Sequence, residues 1–120
     1  MFIKNNMNVP LWTKTEKIHH IRWKLFLDDI RTPPNDFILA RSFVQAQSLV
    51  RQFGCPYFIS FDHDLGEEKT GYDFAKWLVE MDMDYHILPK DFDYTIHSQN
   101  PVGTINIFEY LERYIYENIK

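Results

Sequence analysis

Lys24-Leu25-Phe26-Leu27-Asp28-Asp29-Ile30-Arg31 and Phe58-Ile59-Ser60-Phe61-Asp62-His63-Asp64-Leu65-Gly66 are the stretches whose reading decides the fold. Each is a short apolar run that stops at carboxylates. Runs this short, without polar alternation, are the pattern of buried strands in a parallel sheet. In an open parallel sheet the ligand crevice lies outside the carboxyl ends of the strands. Acids placed there are candidates for holding a hard divalent cation, which prefers oxygen ligands.

Working outward, the first strand is expected over residues 23–27, and Pro33-Pro34 bars a helix after it. Phe37-Ile38-Leu39-Ala40 reads as a second strand. Ser42 is a fitting N-cap for a helix whose stripe is Phe43, Ala46, Leu49, Val50 and Phe53, and Gly54 stops it. A third strand covers 57–61, followed by an acidic loop over 62–69. Thr70 and Asp73 have capping-box spacing and open a helix over 71–83. Its apolar positions, Tyr72, Phe74, Ala75, Trp77, Leu78 and Met81, cover enough of its circumference to predict burial on most sides. Residues 82–93 read as a polar connection and 94–97 as a fourth strand. Asn100 caps and Pro101 begins a long last helix, with Ile105, Phe108, Leu111 and Ile115 predicted to face inward.

That order implies a single α/β domain of three layers built on a mainly parallel four-stranded sheet. Residues 1–22 form an N-terminal extension and 23–120 the domain. Within the extension, Val9-Pro10-Leu11-Trp12 is suited to cover a hydrophobic edge.

Composition narrows the function. The chain has 120 residues and a net charge of −4, with no extended basic run. Bulk electrostatics therefore argue against a long duplex footprint, while a nucleotide or an RNA end remains a fitting partner. Aromatic residues make up 17% of the chain, so a few large rings can fill a small core. Cys55 is the only cysteine, which rules out an intrachain disulfide and fits a reducing cytosol. Between Gly54 and Pro56 it reads as a buried, inert thiol. Lys4, Asn5, Asn6 and Asn8 interrupt any signal-peptide core, and no stretch nears the ~18 apolar residues of a membrane span. A cytoplasmic location away from membranes is the expectation.

Three strand ends carry polar clusters: Asp28-Asp29 with Arg31, Asp62-His63-Asp64, and His97-Ser98-Gln99-Asn100. Parallel strands bring all three to one edge. Carboxylates this close repel unless a cation neutralises them. Magnesium typically uses one or two carboxylates and bridges to a substrate phosphate. The helix opening at Pro101 adds a positive dipole end suited to an anion. A cation site next to a phosphate site is the combination that phosphoryl chemistry needs.

The double acid after strand one and the acid after a middle strand resemble the receiver domains of two-component signalling. That resemblance implies a receiver or flavodoxin-like fold in which Asp28, Asp29 and Asp62 hold magnesium. The chain departs from it in lacking the helix after strand one, the fifth strand and that strand's essential lysine. A divergent branch, the cyclic-phosphate processing receiver-like domains, is similar in more detail. Its pieces resemble Leu27-Asp28-Asp29-Ile30-Arg31 with Pro33-Pro34, Ser60-Phe61-Asp62-His63-Asp64-Leu65-Gly66, Gly71-Tyr72-Asp73, and His97-Ser98-Gln99-Asn100-Pro101-Val102-Gly103. The resemblance covers about residues 23 to 117. It implies processing of a cyclic phosphate.

Together these readings give a metal-dependent phosphoesterase that opens a cyclic phosphate on an RNA end or a small cyclic nucleotide. Asp28, Asp29, Asp62 and Asp64 are the candidate ligands for Mg²⁺ or Mn²⁺, although Asp64 also reads as part of a turn. His97 is the candidate proton donor to a leaving ribose oxygen, and Asp62 is in addition a less favoured nucleophile. His63 is a ligand, a base or a prop for another side chain. Arg31 either clamps phosphate or pairs with the crowded acids. Ser98, Asn100 and Gly103 at the helix start are, with Arg31, the candidate substrate-binding residues; Asn100 is the helix cap first, and Gly103 permits the close approach of a ligand or strand. His19, His20 and His86 read as surface residues. The alternative is a non-catalytic receiver-like switch, or a module that binds a phosphorylated ligand.

Overall fold

The computed structural model describes residues 21–119. Val9-Pro10-Leu11-Trp12, His19 and His20 lie outside the described residues. The elements are β1 (Lys24–Leu27), β2 (Ile38–Ala40), α1 (Phe43–Phe53), β3 (Phe58–Phe61), α2 (Gly71–Tyr85), β4 (Asp93–Ile96) and α3 (Pro101–Asn118). The four strands form one parallel sheet in the order β2-β1-β3-β4.

Chain direction decides which face each helix covers. The crossovers through α1 and α2 both step from β2 toward β4, so right-handedness puts both helices on one face. α3 packs against α2 on that same face. Leu25, Leu27, Ile59 and Phe61 point into this layer and are fully buried, together with Ala46, Val50, Phe74, Leu78, Ile107 and Leu111. Each such leucine or phenylalanine contributes roughly 1.5–3 kcal/mol. The step from β1 to β2 runs the other way and contains no helix, so the connection over 28–37 covers the opposite face. Its Phe37 packs edge-on against Phe26 and Phe58. The third layer expected from the sequence is thus a loop.

The expected caps are present. Ser42 accepts from the Gln45 N–H, and Thr70 and Asp73 form a reciprocal capping box. Asn100 accepts from the Gly103 N–H, with Pro101 opening the helix. Gly54 closes α1 at φ 86°.

Three expectations need correction. α2 runs on to Tyr85 and ends at His86, an exposed residue in the left-handed region at φ 55°. Asp82 is consequently not in a polar connection. It lies buried on α2 and accepts from the Leu88 N–H at 2.8 Å and the Tyr114 hydroxyl at 2.6 Å. The inward face of α3 is Gly103, Ile107, Leu111 and Ile115, whereas Ile105 and Phe108 are about half exposed, at 53% and 52%. A spacing of four sets the face that packs on α2. Phe108 lies roughly a quarter of a turn from Ile107, beside the β4 residues, and Ile105 lies nearly on the opposite side of the helix, so both remain half exposed.

Candidate functional site

Register assembles the site. Leu27 of β1 pairs with Phe61 of β3, which pairs with Ile96 of β4. Asp28, Asp62 and His97 are therefore the next residue on three adjacent strands. The ladder continues through them: the Asp62 N–H donates to the Leu27 carbonyl at 2.9 Å, and the His97 N–H donates to the Phe61 carbonyl at 2.8 Å. Strand alternation turns their side chains to the loop-covered face, in line with Phe26, Ser60 and Thr95. One ligand atom from each of Asp28, Asp62 and His97 falls within 4.8 Å of the other two.

Asp28 is the buried member. Its Oδ1 accepts from the backbone N–H groups of Ile30 at 2.8 Å and Arg31 at 2.7 Å, and its Oδ2 faces His97 Nε2 at 2.8 Å. Burial pushes this carboxyl up, but the hydrogen bonds from Arg31, Ile30 and His97 outweigh it and hold the group below the usual carboxylate range. Asp62 goes the other way. Burial first, and then the charge of Asp28, raise it, against hydrogen bonds from the His63 backbone and the Ser98 hydroxyl. Two adjacent carboxyls pushed apart in this way form a strained pair that a cation would relieve.

His97 is held from four sides. Because ionised Asp28 only accepts, Nε2 carries the ring proton, and Nδ1 accepts from the Ser60 hydroxyl at 2.7 Å. Ser60 in turn accepts from the Thr95 hydroxyl at 3.3 Å. The ring stacks on Phe26 at 4.6 Å between centroids, 1° from parallel, and the His97 carbonyl accepts from Arg31 Nη1 at 2.6 Å.

The other candidates gather beside this cluster. Arg31 does pair with the acids, standing 3.8 Å from Asp28, while its guanidinium remains part exposed. Asp29 is turned to the acidic loop: Gly66, at φ 68°, sits where an added Cβ would lie 2.8 Å from Asp29 Oδ2. Asp64 is exposed, and its carboxylate accepts from His63 Nδ1 at 2.9 Å and from the Asn100 amide at 3.4 Å. Neither Asp29 nor Asp64 belongs to the three-residue cluster. The bond from His63, against some burial, lowers Asp64. Ser98 also accepts from the Asn100 N–H at 3.0 Å. What approaches Gly103 is neither a strand nor a ligand of the expected kind but the His63 ring, which a Cβ there would strike. Cys55 is buried, and burial drives its thiol well above its ordinary value.

Four contributors were not foreseen. Ser60 is the one polar residue of β3, and that break in an apolar strand was the available signal. Phe26 entered only as part of the first strand, and it is the ring on which His97 stacks. Arg41 donates to the carbonyls of Asp28 and Arg31 at 3.3 and 2.8 Å, clamping the loop that carries the first acid. Gly71 lets α2 start against the Asp62 carbonyl, which a Cβ there would strike.

The family model of the cyclic-phosphate processing receiver domain matches residues 23–113, the whole span from β1 into α3. The chain belongs to this family. The model covers every residue of the cluster and its surroundings. No curated protein and no solved structure matches the chain. Among the described residues of this receiver domain, no helix is long and apolar enough to cross a membrane.

Proposed function

We propose that this receiver domain is a metal-dependent phosphoesterase that opens a cyclic phosphate, on an RNA end or a small nucleotide, to a monoester. The observation that carries the reading is the convergence of Asp28, Asp62 and His97 within 4.8 Å, beside the N-terminus of α3. The family's name supplies the substrate class.

The donor set fits a divalent cation. Two crowded carboxyls, one of them raised by burial and by its neighbour, present oxygens to one point. Asp28 and Asp62 would hold the ion, which when bound supplies charge neutralisation at a non-bridging phosphate oxygen.

The remaining tasks fall to the chain. Pro101 has no N–H, and the Gly103 and Thr104 amides are taken by Asn100. The Val102 amide and the helix dipole are left to meet the anion. Arg31, part exposed at the rim, adds a positive charge. Water gives up a proton as its oxygen bonds phosphorus, one ring P–O bond breaks, and the freed ribose oxygen takes a proton. His97 has both ring nitrogens engaged, so the proton task passes to His63. Its Nδ1 is oriented by Asp64, and its Nε2 has no partner among the described residues.

The test is hydrolysis of a vicinal ribose cyclic phosphate, followed by chromatography, for the parent, Asp62→Asn and His63→Gln. The reading expects metal-dependent monoester formation, lost by at least a hundredfold in Asp62→Asn. Parent-level turnover in that folded variant would overturn it.

A further inference from the structure

We infer that His97 Nε2 is a direct ligand of the cation, that Ser60 is its positioning residue, and that the site prefers a first-row transition-metal dication to Mg²⁺. The inference deepens the proposed function and rests on its metal-dependent reading.

Separation is the first argument. Ligand atoms at about 2.1 Å from one octahedral ion stand about 3 Å apart when adjacent. His97 Nε2 and Asp28 Oδ2 are already 2.8 Å apart, and an Asp62 oxygen completes a triangle with no side more than 4.8 Å. The histidine lies inside the ligand set and not behind it.

The second argument is the support on the far side of the ring. A histidine that ligates through Nε2 needs its proton on Nδ1 and an acceptor there. Ser60 Oγ sits 2.7 Å from Nδ1, and a hydroxyl can donate or accept. In the metal-free arrangement Ser60 donates to Nδ1 and accepts from Thr95. On metal binding the proton moves from Nε2 to Nδ1, Ser60 accepts it as a hydrogen bond, and the Ser60 hydroxyl turns to donate to Thr95. The Nε2 lone pair is freed toward the ion, and no proton leaves the histidine. Phe26, parallel to the ring, fixes its plane through the exchange. A histidine retained only for packing would not need a partner that accommodates both tautomers.

Donor chemistry gives the selectivity. Carboxylates and water suit Mg²⁺ and Mn²⁺ alike, whereas an imidazole nitrogen suits the transition metals. An Asp, Asp, His set therefore favours Mn²⁺, Co²⁺ or Fe²⁺ over Mg²⁺.

The experiment uses the full chain with Mn²⁺ and Mg²⁺ as probes. Calorimetric titration measures both affinities, and electron spin-echo spectroscopy of bound Mn²⁺ detects a directly coordinated nitrogen. The parent is expected to bind Mn²⁺ at least tenfold more tightly than Mg²⁺ and to show nitrogen coupling. His97→Gln should lose the coupling and most of the preference. Ser60→Ala should weaken Mn²⁺ roughly tenfold, the usual effect of removing a ligand's outer partner, and leave Mg²⁺ little changed. This last arm stands if His97→Gln fails to fold. Mn²⁺ bound without nitrogen coupling overturns the inference and leaves the carboxylate-held cation of the proposed function intact. Coupling that survives His97→Gln and disappears in His63→Gln reassigns the ligand and also overturns it. Absence of binding by either ion overturns both readings.

Discussion

Replacing Asp62 by asparagine should make the metal-free domain more stable while it abolishes function. Oxygens of Asp28 and Asp62 lie within 4.8 Å of one another. Two unit charges at that separation repel by roughly 3 kcal/mol at an effective dielectric near 20. Asp62 is only part buried, so solvent and salt screening reduce this to about 1–2 kcal/mol. Asparagine keeps an oxygen to accept from the His63 backbone and the Ser98 hydroxyl, so little is lost in exchange. For a domain of this size the gain corresponds to a melting temperature about 5–10 °C higher. The assay is thermal unfolding by circular dichroism in EDTA at low ionic strength and neutral pH. The sign with pH is fixed by direction. The folded-state carboxyl of Asp62 is raised, so its contribution to stability is present in acid and lost as pH rises through that raised value. The advantage of the variant is therefore largest at neutral pH and shrinks on acidification. Added Mn²⁺ should raise the melting temperature of the parent and do little for the variant. A variant that melts at or below the parent in EDTA would refute the electrostatic reasoning.

Other expectations can be checked by the same melts. Asp28→Ala leaves the Ile30 and Arg31 amides and His97 without their acceptor, a loss of about 3 kcal/mol that relief of the repulsion from Asp62 offsets in part, so the net cost should be about 1–2 kcal/mol; a variant as stable as the parent contradicts the account. The Asp28 carboxyl is lowered, so its stabilisation is present at neutral pH and lost as pH falls through its depressed value, opposite to Asp62. Tyr114→Phe removes one of two donors to buried Asp82 and should cost about 1–3 kcal/mol with no effect on metal binding. Gly71→Ala places a methyl against the Asp62 carbonyl, so it should both destabilise the fold and weaken Mn²⁺ binding; a neutral result would show that α2 docks more loosely than described.

Much of the frame was legible because it rests on local rules. Ser42, Thr70 with Asp73, and Asn100 with Pro101 are capping signals that depend on near neighbours, and each cap formed as read. The strands ended at their acids, and parallel register then brought Asp28, Asp62 and His97 level without any further assumption. What could not be read depends on partners distant in sequence. Ile105 and Phe108 carry the same apolarity as Ile107 and Leu111, and only the position of α2 decides which pair is buried. Asp82 looked like the start of a polar link because its acceptor role is met by Tyr114, more than thirty residues on. Within the site, Asp29 and Asp64 carry the same charge as Asp28 and Asp62. Strand alternation and the Gly66 and Asn100 contacts separate them, and Ser60 acquires its role only once His97 is brought beside it.

The measurement that tests the central claim most directly is phosphorus NMR of the parent protein with a panel of cyclic phosphates. The panel holds a vicinal ribose cyclic nucleotide, an RNA with a cyclic end and a nucleotide whose ring spans the sugar's outer hydroxyls, each incubated with Mn²⁺ or with EDTA, the Mn²⁺ samples being quenched with excess EDTA before their spectra are recorded. The account predicts conversion of at least one cyclic resonance to a monoester, in Mn²⁺ alone and absent in Asp62→Asn. Unchanged cyclic resonances across the panel, with the protein folded and Mn²⁺ bound, would contradict it.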